Sequence, residues 1–343
     1  MVTSQDLRDA VRRLMKQGKL KTLYAYRKGA GGGHAVPAFI RDAEGVEDLT
    51  WDPTCVHNLS RYLIDEKRKR EKAKTPPTHP MALVVKGCDS RAINVLIQEK
   101  FVKREDLYLI GISCEHSGMA DPGKVARKFA GQEISDIKFT GEDTFIVVAD
   151  GKEKVVPASD LLADRCLECP ANFPVVFDLL LGDKTKRNTA ARYKDVEKIE
   201  SLNPDQKWAF WTKALEACIR CYACRSICPM CYCDECVVDS ISQGIGPDTP
   251  AEEKAQRVRW IERSPDLSET LVYHMIRTIH LAGRCIDCGE CQRACPVDIP
   301  LRLLNKKMEK DAREIFQYET GFTSDQPSLV SSFRDEDPED FIR

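Results

Sequence analysis

Eight of the chain's sixteen cysteines fall into two copies of one spacing. Cys218-x-x-Cys221-x-x-Cys224-x-x-x-Cys228-Pro229 is the first copy, and Cys285-x-x-Cys288-x-x-Cys291-x-x-x-Cys295-Pro296 is the second. Cysteines two or three residues apart rarely bridge each other, but their thiolates converge readily on metal. Zinc takes four thiolates from paired Cys-x-x-Cys knuckles, not a triple followed by Cys-Pro. The triple suits a [4Fe–4S] cubane. Three thiolates on a short curled loop reach three irons, and the fourth cysteine, ahead of proline, points away to a second cubane.

This is the bacterial-type ferredoxin run. It assigns Cys218, Cys221, Cys224 and Cys295 to one cluster, and Cys285, Cys288, Cys291 and Cys228 to the other. More than fifty residues separate the runs, and most of the surrounding stretches have helical spacing: 205–217, 251–263, 267–283 and 300–318. Asn203-Pro204 and Pro250 sit at plausible helix starts. The arrangement resembles the helical dicluster ferredoxins of heterodisulfide-reductase and succinate-dehydrogenase iron–sulfur subunits. A mainly α-helical dicluster domain is expected over 189–318, followed by an extended tail over 319–343.

The first half reads as α/β. Residues 4–17 have an apolar stripe at helical spacing, stopped by Gly18. Strands are expected at 22–26 and 35–40, and the KGAGGGH between them leads into a strand rather than a helix. That loop is therefore a hairpin turn, not a phosphate cradle. Residues 65–80, charged and ending in prolines, read as a solvated linker or helix face. MALVVKG (81–87), the helical CDSRAINVLIQEK and LYLIGISC (107–114) form a βαβ unit with parallel strands. Residues 144–156 form a hairpin turning at Asp150-Gly151. The expected fold is thus an α/β part over 1–188 with a βαβ-containing mixed sheet, followed by the helical part.

Eight cysteines remain, enough for two more cubanes. Cys88 and Cys114 end neighbouring parallel strands and face one crevice, the usual ligand position of an open α/β sheet. With the pair Cys166 and Cys169 they make a third set. Cys231, Cys233 and Cys236 offer three corners of a fourth, which Cys55 would complete.

GCDSRAINVLIQE, GISCEHSGM and DGKEKVVPASDLLADRCLECPANFPVVFDLLLGD resemble the beta subunit family of coenzyme F420-reducing hydrogenase and formate dehydrogenase. WDPTCVHNL, with Cys55, is similar to the N-terminal part of bacterial relatives. The resemblance covers about residues 20–185. It implies a [4Fe–4S] cluster on Cys88, Cys114, Cys166 and Cys169, usually FAD, and electron passage between a hydride carrier and clusters. It also implies redox partners of the formate dehydrogenase, hydrogenase or heterodisulfide-reductase-like flavoprotein kind. The family's N-terminal ferredoxin run is absent here; the dicluster module stands at the other end.

Composition excludes other classes. A formal net charge of −2 is wrong for a dedicated nucleic-acid binder. The longest apolar run, 173–181, is broken by Pro174 and Asp178 and is too short to span a bilayer. The N-terminus has no apolar signal stretch, so a cytoplasmic setting in an anaerobe is expected. His57, His79, His116, His274 and His280 carry no signature and read as ordinary surface or core residues. The reading is an iron–sulfur electron-transfer subunit with no catalytic side chain of its own. The competing reading is a flavin subunit that takes hydride from F420 or NAD(P)H and divides it into single electrons. A zinc-stabilised interaction module is the third class.

Overall fold

The structure, a computed structural model, describes residues 2–31, 33–74, 78–114, 118–140, 143–184, 192–234, 236, 238, 250–252, 261 and 264–333. The N-terminal helix α1 (Ser4–Lys16) is capped by Thr3 and buries Leu7, Ala10, Val11 and Leu14. The chain then enters a five-stranded sheet. Its strands are β1 (Leu23–Lys28), β2 (Ala35–Ile40), β3 (Met81–Val85), β4 (Leu107–Ile112) and, much later, β8 (Leu179–Leu181), in the order β2-β1-β3-β4-β8. β1 and β2 form the antiparallel hairpin expected around the glycine loop, while β1, β3, β4 and β8 run parallel. All five residues of β3 are buried, as a strand covered on both faces requires. A second sheet holds β5 (Ile134–Phe139), β6 (Thr144–Ala149) and β7 (Lys152–Pro157), with β6 and β7 joined through Asp150-Gly151.

Two helices flank the parallel strands. α2 spans Ser60–Glu71, so of the two readings of the charged run, linker or helix face, the first part of the run is a helix. It docks on the C-terminal half: Arg61 donates to the Ser226 carbonyl at 2.6 Å, and Arg68 pairs with Asp234 at 2.9 Å. α3 spans Gly87–Gln98 and returns from β3 toward β4. Asp89 holds its start, accepting from the Lys86 backbone N–H at 2.8 Å and from that of Leu59 at 2.8 Å.

The C-terminal half is helical at Pro204–Glu216, Leu267–Ile279 and Leu301–Phe316. The helix expected over 251–263 lies almost wholly outside the described residues. This half is not separated from the first. Cys228, Met230, Leu281 and Ile286 sit in the same apolar core as β3, β4 and α3. The tail also turns back, and Arg91, Asn94 and Gln98 of α3 donate to the carbonyls of Thr320, Gly321 and Thr323. Among the described residues, no helix is long and apolar enough to cross a membrane.

Candidate metal centres

The repeated cysteine spacing is repeated in the backbone. Arg220 and Tyr222 in the first run take positive φ of 54° and 60°, and Asp287 and Gly289 at the corresponding places take 56° and 69°. A one-turn helix follows in each, Ala223–Ser226 and Glu290–Arg293. The peptide N–H of Cys228 then donates to the Arg225 carbonyl at 3.2 Å, and that of Cys295 to the Gln292 carbonyl at 3.1 Å. The left-handed residues curl the two loops in the same way.

Cys285, Cys288 and Cys291 line a tight cavity of about 20 Å³ together with Cys228 from the other run. Cys218 faces Cys224 and, from the other run, Cys295. Cys221 is exposed. Several groups contact these sulfurs. The Asn305 side-chain amide donates to Cys291 Sγ at 3.5 Å, and His274 Nε2 lies 3.5 Å from Cys218 Sγ. Burial, with Arg277 and Arg220 nearby, lowers the His274 pKa to about 3, so the ring stays neutral. Arg277 is buried among Cys231, Cys224, Cys228 and Cys291 and donates to the Cys224 carbonyl at 2.8 Å.

A larger cavity of about 210 Å³ opens at the C-terminal edge of β3 and β4, and Cys88, Cys114, Cys166 and Cys169 line it. Cys88 is in the first turn of α3, directly after Gly87. A Cβ on that glycine would fall 1.9 Å from the Ala171 carbonyl oxygen, so only glycine lets α3 approach the segment after Cys169. Gly118, at φ +78°, meets Cys166 in the same way, its built Cβ 2.5 Å from the Cys166 Cβ. Backbone N–H groups of Met119 and Ala171 donate to Cys166 and Cys169 Sγ at 3.3 and 3.4 Å. Burial pushes the Cys88 thiol up to about 12 and the Cys169 thiol up to about 11. These thiols stay protonated until metal displaces the proton.

Three buried cations stand in the wall of this cavity: Lys86, Arg91 and Arg165. Lys86 Nζ lies 3.0 Å from Asp89 and donates to the His57 carbonyl at 2.7 Å and to the Tyr26 hydroxyl. Arg165 donates to the carbonyl of Cys288, tying the loop of Cys166 to the loop of Cys288. Ile286 and Asp287 line both cavities, so the two sets share a wall. Arg165 also lies 3.6 Å from Glu290 and Arg91 3.8 Å from Glu309, so the cations of this wall are shared between carboxylates and the thiols.

The last set is placed differently. Cys55 is fully buried in the core it shares with Cys228 and Met230, its thiol 3.8 Å from the Thr50 carbonyl, and its charged neighbours are Asp52, Lys86 and Lys28. Cys231 hydrogen-bonds Cys228, Cys233 is exposed, and Cys236 lies against the core around Leu215 and Tyr273. Among the described residues, no three histidine, cysteine or acidic side chains converge closely enough to hold a single metal ion. His116 lies outside the described residues.

The sequence reading did not single out Arg165, Glu168, Arg277, Asp287, Arg302 or Lys306. The signal available was a polar stripe at helical spacing, Arg302, Asn305, Lys306 and Glu309, all buried on one face of Leu301–Phe316.

No family model matches the chain. Among curated proteins it is 24% identical to "F420-dependent formate dehydrogenase subunit beta" of Methanocaldococcus jannaschii, over 90% of this chain and 89% of that one. It is 23% identical to "F420-dependent formate dehydrogenase 1 subunit beta" of Methanococcus maripaludis, over 92% of this chain and 90% of that one. The chain is a relative of these beta subunits. The likeness takes in the cysteine-rich second half as well as the α/β part to which the sequence resemblance was confined. A chain of the F420-reducing [NiFe] hydrogenase complex of Methanosarcina barkeri superposes with a TM-score of 0.36 at 13% identity, over 48% of this chain and 58% of that chain, a likeness too low to carry an argument.

Proposed function

We propose that the chain is an iron–sulfur subunit that relays single electrons within a cytoplasmic redox complex of an anaerobe. The observation that carries this is the cavity at the edge of β3 and β4. Cys88, Cys114 and the Cys166–Cys169 pair come from distant points of the chain, yet they ring one space at the edge of the parallel sheet, with buried cations in its wall. A cubane keeps its thiolates on separate irons, which asks for thiols around a space rather than on one point. In this reading three sets hold [4Fe–4S] clusters: Cys88, Cys114, Cys166 and Cys169; Cys285, Cys288, Cys291 and Cys228; Cys218, Cys221, Cys224 and Cys295. Such clusters supply one-electron oxidation and reduction. The protein's own part is to exclude water, to offset thiolate charge with Lys86, Arg165 and Arg277, and to donate hydrogen bonds to sulfur, all of which set potentials. Cys55 is a packed core thiol, and Cys231, Cys233 and Cys236 flank the runs. The relatives' names point to partners of the formate dehydrogenase kind.

A flavin-containing version of this function has an observation of its own. A second cavity of about 490 Å³ adjoins the first, sharing Cys114, Gly118 and Met119, and offers Trp51, Phe139, Lys28 and Lys138. That volume lies within the rough 300–1,000 Å³ range of cofactor sites. Aromatic faces and lysines beside a cluster would suit FAD receiving hydride from F420 or NAD(P)H. Anaerobic purification of the chain with its native partners tests both readings. About twelve iron and twelve sulfide per chain are expected on four of each per cluster, and zinc in their place would overturn the proposal. Flavin that stays with this chain when it is separated from its partners decides for the second version, and its absence from the chain decides against it.

A further inference from the structure

Four Cys-x-x-Cys steps carry a carboxylate just ahead of their second cysteine, and two of them, Glu168 in Cys166–Cys169 and Asp287 in Cys285–Cys288, meet in space. The loops belong to different sets, yet the carboxylates share the same two cations from the helix Leu301–Phe316. Arg302 grips Asp287 with two bonds, Nε to Oδ1 at 2.6 Å and Nη2 to Oδ2 at 3.0 Å, and its Nη2 also reaches Glu168 Oε2 at 3.5 Å. Lys306 donates to Glu168 and lies 3.0 Å from Asp287 Oδ2. The four residues are 9% exposed or less. The cluster is therefore two cations against two carboxylates, with the partly exposed Asp195 adding one outer contact to Arg302 at 3.5 Å.

As a clamp between two loops this is a poor device. Buried ion networks often stabilise no better than apolar side chains of the same volume. What apolar packing cannot supply is fixed charge beside both metal sets. Asp287 lines both cavities and Arg302 lines the smaller one. We propose that Arg302 and Lys306, held by Glu168 and Asp287, are positioning residues that set the potentials of the Cys88 and Cys285 centres together, so that neither can be tuned without the other. This rests on the reading that both sets hold clusters.

Lys306→Met leaves the buried group one charge more negative, which disfavours the reduced state at both centres. Glu168→Gln does the opposite. The double variant restores neutrality. The experiment is a redox titration of the anaerobic complex followed by electron paramagnetic resonance, after iron analysis. Both potentials are expected to fall in Lys306→Met and rise in Glu168→Gln, by about a tenfold change in the reduced-to-oxidised ratio, about 59 mV for one electron. Both should return toward the parent value in the double variant. Full iron with one potential or neither moved would overturn the proposal. If Lys306→Met loses iron, the double variant decides: regained iron and parent potentials support the proposal, and iron still missing reduces the quartet to a fold contact. Failure of the functional reading looks different, because the unmodified complex would then lack signals from these two centres.

Discussion

Gly87→Ala sets two physical effects against each other at the residue before Cys88. Alanine is better than glycine in a helix by about 1 kcal/mol, and Gly87 is the first residue of α3. On propensity alone the variant would be the more stable. The added Cβ, however, would stand 1.9 Å from the Ala171 oxygen, 2.9 Å from the Ala171 carbonyl carbon and 3.1 Å from the Phe173 oxygen. Those are backbone atoms, so no side chain can rotate away. The start of α3 and the segment after Cys169 must separate by about 1.5 Å before contacts become ordinary. Overpacking of this kind costs about 1–3 kcal/mol, enough to cancel the propensity gain and leave a net loss of up to about 2 kcal/mol. The displacement also pulls Cys88 from Cys169 across the cavity they line. The expected result is a melting temperature a few degrees lower and loss of about four of twelve irons. Anaerobic calorimetry with iron analysis measures both. A variant about 1 kcal/mol more stable with full iron would refute the reasoning, because helix propensity would then have won.

Other expectations are equally specific. Cys228→Ala should remove the cluster of Cys285, Cys288 and Cys291 and spare that of Cys218, since Cys228 lines the cavity of the other run; spectra that lose only the Cys218 centre would contradict the crossed assignment. Cys55→Ser should keep full iron and lose about 1–3 kcal/mol from a buried hydroxyl in place of a thiol. A drop of about four irons in that variant would make Cys55 a ligand after all.

The parts of this molecule that the sequence made legible are those in which near neighbours in the chain do the work. The βαβ unit of β3, α3 and β4 follows from an apolar run, a helical stripe and a second apolar run. The curled cysteine loops follow from spacing alone. What escaped were interactions whose partners lie far apart. Lys306 and Glu168 are both charged and would each be assigned to solvent in isolation, yet each is buried because the other is there. Residues 65–71 looked like a solvated run because Arg68 has no local partner; its partner, Asp234, lies in the other half. His274 gave no sign of approaching Cys218, because the contact depends on how the helix Leu267–Ile279 is docked. Cys55 joined a ligand set by counting alone, and its full burial, with the thiol 3.8 Å from the Thr50 carbonyl, had no sign in the sequence.

The central claim is that distant cysteines form separate four-thiolate centres, and iron counting in single variants tests it most directly. Cys88→Ser and Cys288→Ser, prepared anaerobically with their partners, should each hold about eight irons against about twelve in the parent, and the double variant about four. Unchanged iron in Cys88→Ser would contradict the account, as would iron losses in the double variant no larger than in either single one.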